Sequence, residues 1–334
     1  MERMLHQKSI LITGGTGSFG TELVKVLLRE HDLRRIIVYS RDEYKQAMMA
    51  QSLADDDRLR FFIGDVRDLD RLKMAMREVD LVVHAAAMKH VPIAEYNPME
   101  CVKTNIMGAE NVVQAAISNR VPKVIALSTD KACNPVNLYG ASKLASDKIF
   151  IASNNLSGNA GTRFAVVRYG NVVGSRGSVV PFFRELIAKG ADHLPITDPR
   201  MTRFWITLDK GVDFVLSSLA MMQGGELFVP KIASMSIVEL AKAMAPNRPQ
   251  KIVGIRPGEK LHEVMITEDD ARFTIEMEDR YVVQPALAWW SYKGYDDLGK
   301  PVAEDFRYAS DNNPDWLDAA ALKAMLDNPT SLHG

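Results

Sequence analysis

Cysteine is nearly absent from this 334-residue chain: Cys101 and Cys133 are the two present, too few for a disulfide framework. An excess of charge of one sign is missing as well. Lys and Arg number 41 against 42 Asp and Glu, which argues against a nucleic-acid partner or a membrane surface. No apolar run approaches the roughly 20 residues needed to span a bilayer. The start, "MERMLHQKSILITGG", enters a strand-like segment with neither an apolar leader core nor a small-residue cleavage site. The seven histidines are scattered, and "KLHEVM" (Lys260 to Met265) has no second His at helical spacing, so no metal site is expected. Repeats and low-complexity linkers are lacking too. A reduced, cytoplasmic, globular protein with a sizeable core is the expectation.

What is present is a rhythm. Apolar, β-branched runs recur at "SILIT" (Ser9–Thr13), "RIIVYS" (Arg35–Ser40), "RFFIGD" (Arg60–Asp65), "LVVHAA" (Leu81–Ala86), "KVIALST" (Lys123–Thr129) and "FAVVRYG" (Phe164–Gly170). Between them lie stretches such as "GTELVKVLLRE" and "AENVVQAAISNR", apolar on one helical face. Strict alternation implies right-handed crossovers and a parallel sheet covered on both faces. The expected fold class is α/β, a doubly wound (Rossmann) sheet with a smaller C-terminal substrate-binding domain. Residues 1–170 form the dinucleotide domain, rejoined by about 206–228; residues 171–205 and 229–334 form the substrate-binding part.

"ITGGTGSFG" sets Gly14, Gly17 and Gly20 at G-x-x-G-x-x-G spacing between the first strand and the first helix. Small residues there let a pyrophosphate approach the backbone and the positive end of the helix. An NAD site usually ends its second strand in Asp or Glu, to accept from the ribose 2′-hydroxyl. Here Ser40 is followed by Arg41, with Lys45 one turn on, and both cations suit a 2′-phosphate. NADP is therefore the expected cofactor, with Asp42 past the strand tip as a helix cap. Asp65 and Val66 end the third strand, where they can meet adenine; Asp65 can equally cap a helix.

Thr129, Asp130 and Lys131 follow the fifth strand, at the sheet edge where ligands of such folds sit. Tyr139 and Lys143 are four apart on the next helix and share a face. A neighbouring ammonium and a nicotinamide cation both favour the phenolate, so Tyr139 can take a hydroxyl proton while hydride leaves the same carbon.

Together, "TGGTGSFG", "YSRDEYKQ", "HAAAMKHVPIAEYNP", "STDKA", "YGASK", "RYGNVVGSRGSV", "MTRFWIT" and "RPGEK" resemble the extended short-chain dehydrogenase/reductases that act on nucleotide sugars. More narrowly, they resemble the soluble, C5-inverting UDP-N-acetylglucosamine 4,6-dehydratases of pseudaminic acid synthesis. The resemblance implies oxidation at C4, loss of the C5 proton and the C6 hydroxyl, and hydride return to C6. Its C5-retaining relatives usually carry Asp-Glu where this chain has Asp130-Lys131. Lys131 is thus the expected C5 base and Asp130 the acid at the 6-hydroxyl. A free Lys titrates near 10.4, so the base role needs a depression of roughly 3 units, about 4 kcal/mol. Burial beside Lys143 and the oxidised nicotinamide would favour it; otherwise Lys131 stays charged and stabilises the enolate.

The same resemblance adds Thr16, Ser18, Phe19, Ala85, Ala86, Ala87, Lys89 and Val172 to the cofactor contacts. It makes Lys89, Thr129, Asn171, Arg203, Arg256 and Glu259 the contacts to UDP-N-acetylglucosamine, and it implies a homo-oligomer. Rival readings are a C5-retaining dehydratase, a UDP-sugar C4-epimerase, and a non-catalytic NADP-binding regulator.

Overall fold

The computed structural model describes residues 2–53, 56–175 and 177–327. Arg176 of the "GSRGSV" motif and the tail from residue 328 lie outside them. The alternation read from the sequence builds β1 (Ser9–Thr13), β2 (Arg35–Ser40), β3 (Leu59–Ile63), β4 (Leu81–His84), β5 (Lys123–Thr129) and β6 (Arg163–Tyr169). They pair in parallel in the order 3-2-1-4-5-6, the doubly wound order. The crossover helices include α1 (Ser18–Glu30), α2 (Glu43–Ser52), α3 (Leu69–Ala75), α4 (Gly108–Ser118) and α5 (Leu138–Ala152).

Successive strand residues point to opposite faces, and each face has its own core. Ile10, Ile12, Ile36, Val38, Val83 and Ile125 pack with Leu23 and Leu27 of α1. Leu11, Ile37, Val82 and Val124 pack with Val112 and Val113 of α4 and Phe150 of α5. Burial on both faces is why these strands read as continuous apolar runs rather than as alternating ones. In α1 the buried Leu23, Val24, Val26 and Leu27 contribute roughly 6–12 kcal/mol, at about 1.5–3 each. A side-chain cap is worth about 1 kcal/mol. Packing therefore fixes α1 although Gly17 gives it no side-chain cap, and the N–H groups of its first turn are left to meet a ligand.

Among the described residues the sheet has ten strands. Leu227–Pro230 lies parallel beside β6, and Arg280–Val283, Thr274–Glu276 and Lys300–Pro301 follow antiparallel. Residues 274–301, read from the sequence with the substrate-binding half, extend this sheet. A smaller core gathers Val180, Phe183, Leu194, Trp205, Met235 and Leu240, all from segments that follow β6 in the chain. No described helix is long and apolar enough to cross a membrane.

Candidate active site

All the cofactor contacts expected from the sequence meet in one cavity of about 730 Å³. Gly14 and Thr16 to Gly20 line it with Ser40, Arg41, Lys45, Asp65, Val66, Ala85 to Ala87, Lys89, Tyr139, Lys143 and Val172. Gly14 has φ +67°, and a Cβ there would stand 2.9 Å from the backbone of Ala86. Only glycine lets the β1 turn lie against the chain leaving β4. This cradle and the uncapped start of α1 fit a dinucleotide pyrophosphate. Asp42 is the N-cap of α2, its carboxylate accepting from the Lys45 N–H at 3.0 Å, and it lines the same cavity with its other oxygen 3.1 Å from the Lys45 ammonium. Asp65 accepts from the backbone N–H of Arg67 and from its guanidinium, with Arg41 3.5 Å away; Asp68, not Asp65, caps α3.

The reacting end is built where β5 stops. A single 3-10 turn, Asp130–Ala132, follows Thr129, whose hydroxyl donates to Asp130 Oδ1 at 2.9 Å. Asn137 caps α5 by accepting from the Gly140 N–H at 2.8 Å, and its amide donates to the Gly258 carbonyl at 2.7 Å. The turn around "RPGEK" is thereby tied to the start of α5. Tyr139, Lys143 and Asp147 form one row along α5, all three buried. Burial pushes the Tyr139 phenol up to about 12, against the pull of Lys131 and a hydrogen bond with Thr129. Burial lowers Lys143, and Asp147 opposes that by favouring the ammonium. Asp147 also accepts from Ser128 at 2.7 Å and from Arg168 at 3.2 Å.

Lys131 enters the same cavity, with surroundings unlike those expected. Its ammonium lies 3.0 Å from Asp130 Oδ1, 3.4 Å from Asn171 Oδ1 and 3.4 Å from Glu263 Oε1. Burial alone would lower it, but the Asp130 and Glu263 charges outweigh burial and hold it above the usual lysine range. These two carboxylates thus oppose the depression that the base role requires. The sequence shows Asp130 but cannot show Glu263, which arrives from a distant segment.

Thr129 and Asn171 line the cavity, while Arg203, Arg256 and Glu259 do not. The Arg203 guanidinium donates to the carbonyls of Thr202, Leu261 and Lys260 and lies 3.8 Å from Glu263. Arg256 and Glu259 sit at the surface, 4.0 Å apart. Three residues emerge from the structure alone: Glu263, Asp147 and Asn105. Asn105, in a π-helical turn at Val102–Met107, accepts from the Met88 N–H at 2.8 Å and donates to Ser142 at 2.9 Å. It braces the loop after β4 against α5. The i, i+4 spacing from Lys143 was a readable signal for Asp147; Asn105 had none.

Residues 10–285 match the family described as polysaccharide biosynthesis protein. The chain is similar to an inverting UDP-N-acetylglucosamine 4,6-dehydratase of Campylobacter jejuni, 60% identical over 97% of this chain and 98% of the relative. It is also similar to a UDP-glucose 4-epimerase of Rickettsia bellii, 44% identical over 97% of both. Among solved structures, Pen from Bacillus thuringiensis superposes with a TM-score of 0.87 at 35% identity, covering 97% of this chain and 99% of that one. The dTDP-glucose 4,6-dehydratase DesIV from Streptomyces venezuelae, with NAD bound, gives 0.69 at 26% identity over 76% and 86%.

Proposed function

Since this chain belongs to the polysaccharide biosynthesis protein family, we propose that it dehydrates UDP-N-acetylglucosamine across C5 and C6 with inversion at C5. The product is UDP-2-acetamido-2,6-dideoxy-β-L-arabino-hex-4-ulose, and the reaction stands at the start of pseudaminic acid synthesis. The observation that carries this reading is the Asp130–Lys131 ion pair, 3.0 Å apart, in the cavity that Tyr139 and Lys143 also line.

A bound nicotinamide dinucleotide supplies the hydride acceptor at C4 and the hydride donor at C6. Tyr139, beside Lys143, receives the C4 hydroxyl proton. The resulting ketone makes the C5 hydrogen acidic. One proton crossing from Lys131 Nζ to Asp130 Oδ1 breaks an N–H bond, forms an O–H bond, and converts the ion pair into an amine and a carboxylic acid. The amine then takes the C5 proton, and the acid protonates the departing C6 hydroxyl, which leaves as water. Lys131 is again an ammonium and Asp130 again a carboxylate. As hydride returns to C6, C5 takes a proton from solvent on the face opposite Lys131, which gives the inverted centre, and Tyr139 releases the C4 hydroxyl proton to solvent, which closes the proton balance. Thr129 and Asn171 orient the sugar, with Lys89 between sugar and cofactor. Arg256 and Glu259 act on the UDP moiety from the surface turn, and Arg203 acts by fixing that turn's backbone.

NADP is the proposed dinucleotide, because Arg41 and Lys45 both line the cavity at the end of β2 and the Asp42 carboxylate beside them is engaged, one oxygen accepting from the Lys45 N–H and the other 3.1 Å from the Lys45 ammonium. The NADP-binding part is proposed to comprise residues 1–170 and 206–228 with the sheet extension 274–301 beside them, leaving 171–205 and the rest of 229–327 to the sugar. Ile93, Tyr96, Met99 and Met107 are exposed apolar side chains that suit a homo-oligomer. The test is incubation with UDP-N-acetylglucosamine in heavy water, followed by NMR of the product. A 4-keto-6-deoxy sugar of L-arabino configuration, deuterated at C5, is expected. A D-xylo product would assign the chain to the retaining dehydratases, and a C4 epimer without loss of water to the epimerases.

A further inference from the structure

Behind Lys131 lies a cluster of buried charge that the reaction above does not use. Glu263 is 2% exposed, and its carboxylate faces three cations: Lys131 at 3.4 Å, Lys260 at 3.6 Å and Arg203 at 3.8 Å. Lys260 is fixed separately by donating to the Cys133 carbonyl, and Arg203 by three backbone carbonyls. Lys131 is the one member of this trio that lines the cavity. Glu263 Oε2 and Asp130 Oδ2 are buried with no hydrogen-bond partner among the described residues. A buried carboxylate short of hydrogen bonds depends on neighbouring positive charge, so it resists deprotonation of whichever cation can lose its proton.

We propose that Glu263 is a positioning residue that, with Asp130, holds Lys131 as an ammonium over the cavity in the resting enzyme. The proposal rests on the reading of Lys131 as the group that works at C5. The charged and titratable groups facing Lys131 come from each element around it. They are Asp130 on its own turn, Glu263 and Lys260 from the segment before Val264–Ile266, Arg203 from Thr202–Ile206, and Tyr139 from α5. The five side chains apart from Tyr139 carry a net charge of +1. Loss of Glu263 raises this to +2, and deprotonation of Lys131 is the relief open to the cluster. Glu263 thereby keeps the ionic form of the Asp130–Lys131 pair dominant at rest, so that the amine arises only with substrate in place.

The experiment is amine-selective acetylation of the substrate-free, full-length protein across a pH series, read peptide by peptide by mass spectrometry. In the wild type, Lys131 should acetylate far more slowly at pH 9 than the exposed Lys189. In Glu263→Gln, Lys131 should acetylate at least tenfold faster, with Lys143 unchanged. Equal Lys131 rates in the two proteins would overturn the proposal. A loss of structure in Glu263→Gln would show as faster labelling of every lysine. In that case the wild-type titration and Glu263→Asp, which keeps the charge, decide. Protection of Lys131 in both supports the proposal, and ordinary lysine reactivity in either overturns it. A second readout is the falling limb of kcat/KM against pH, set by loss of the proton that the Asp130–Lys131 pair shares, which moves to lower pH in Glu263→Gln and returns in Glu263→Asp; a purely structural loss lowers the whole profile without moving the limb. Labelling needs no substrate, so it stands even where the wild type fails to dehydrate the sugar; that failure would remove the functional reading alone.

Discussion

Tyr139 shows how burial and function oppose each other at one side chain. Its phenol is pushed to about 12 in the ligand-free protein, mainly by burial, so without a bound cation it is protonated at neutral pH. The stability linked to it follows with a definite sign. A folded value above the unfolded value of about 10 means the contribution is full below pH 10 and is lost as pH rises to about 12. Urea unfolding across that window should cost the wild type up to about 3 kcal/mol more than Tyr139→Phe. Equal losses in the two proteins would place the phenol elsewhere. In turnover, Tyr139→Phe should lose about a hundredfold or more at C4 oxidation, seen as missing reduced-nicotinamide absorbance in a single turnover. At this scale the sequence was most readable where partners are close in the chain. Tyr139 with Lys143 and Asp130 with Lys131 are local pairs. Glu263 belongs to the same site, but its contact with Lys131 is long-range and leaves no spacing to read.

The helix and turn that carry the reacting groups meet through a glycine. A Cβ at Gly140 would stand 2.2 Å from the Lys131 carbonyl oxygen, so α5 can lie against the Asp130–Ala132 turn only without a side chain there. Gly140→Ala gains about 1 kcal/mol in helix propensity, yet forcing the helix from the turn costs roughly 1–3 kcal/mol. The expected result is a net loss of about 1 kcal/mol by thermal melt. Turnover should fall more than tenfold, because a shift near 1 Å at the reacting atoms is severe. Unchanged turnover would show that the turn follows the helix without harm. The six parallel strands were legible because burial on both faces leaves continuous apolar runs. The strands at Thr274–Glu276, Arg280–Val283 and Lys300–Pro301 were not, being two to four residues long and paired antiparallel at the sheet's far side.

Over the whole molecule, those late strands make the C-terminal region part of the central sheet rather than an appendage. Tyr281, Val282 and Ile275 are buried there, and the Tyr308 hydroxyl bonds both backbone groups of Ile232. A chain ended after Ala271 should therefore lose the cover of Leu227–Pro230 and fail to accumulate as folded protein. A chain ended after Asp318 loses, among the described residues, the helix Ala319–Asp327, whose Leu322 and Leu326 pack in the smaller core. That shorter chain should keep dinucleotide binding, measured by fluorescence titration with NADP, while sugar turnover falls. Folding of the Ala271 truncation would show that the sheet is complete without its antiparallel extension. The return of residues 206–228 to the first part was expected from the sequence; the antiparallel extension at 274–301 was not, since long-range pairing leaves no periodic trace.

The most direct measurement is a single turnover of Lys131→Ala on UDP-N-acetylglucosamine, followed by absorbance of the reduced nicotinamide and by mass of the sugar. Reduced cofactor should accumulate while the sugar keeps its C6 hydroxyl, with elimination slowed by a factor of about a thousand. Loss of water at close to the wild-type rate would show that another group takes the C5 proton.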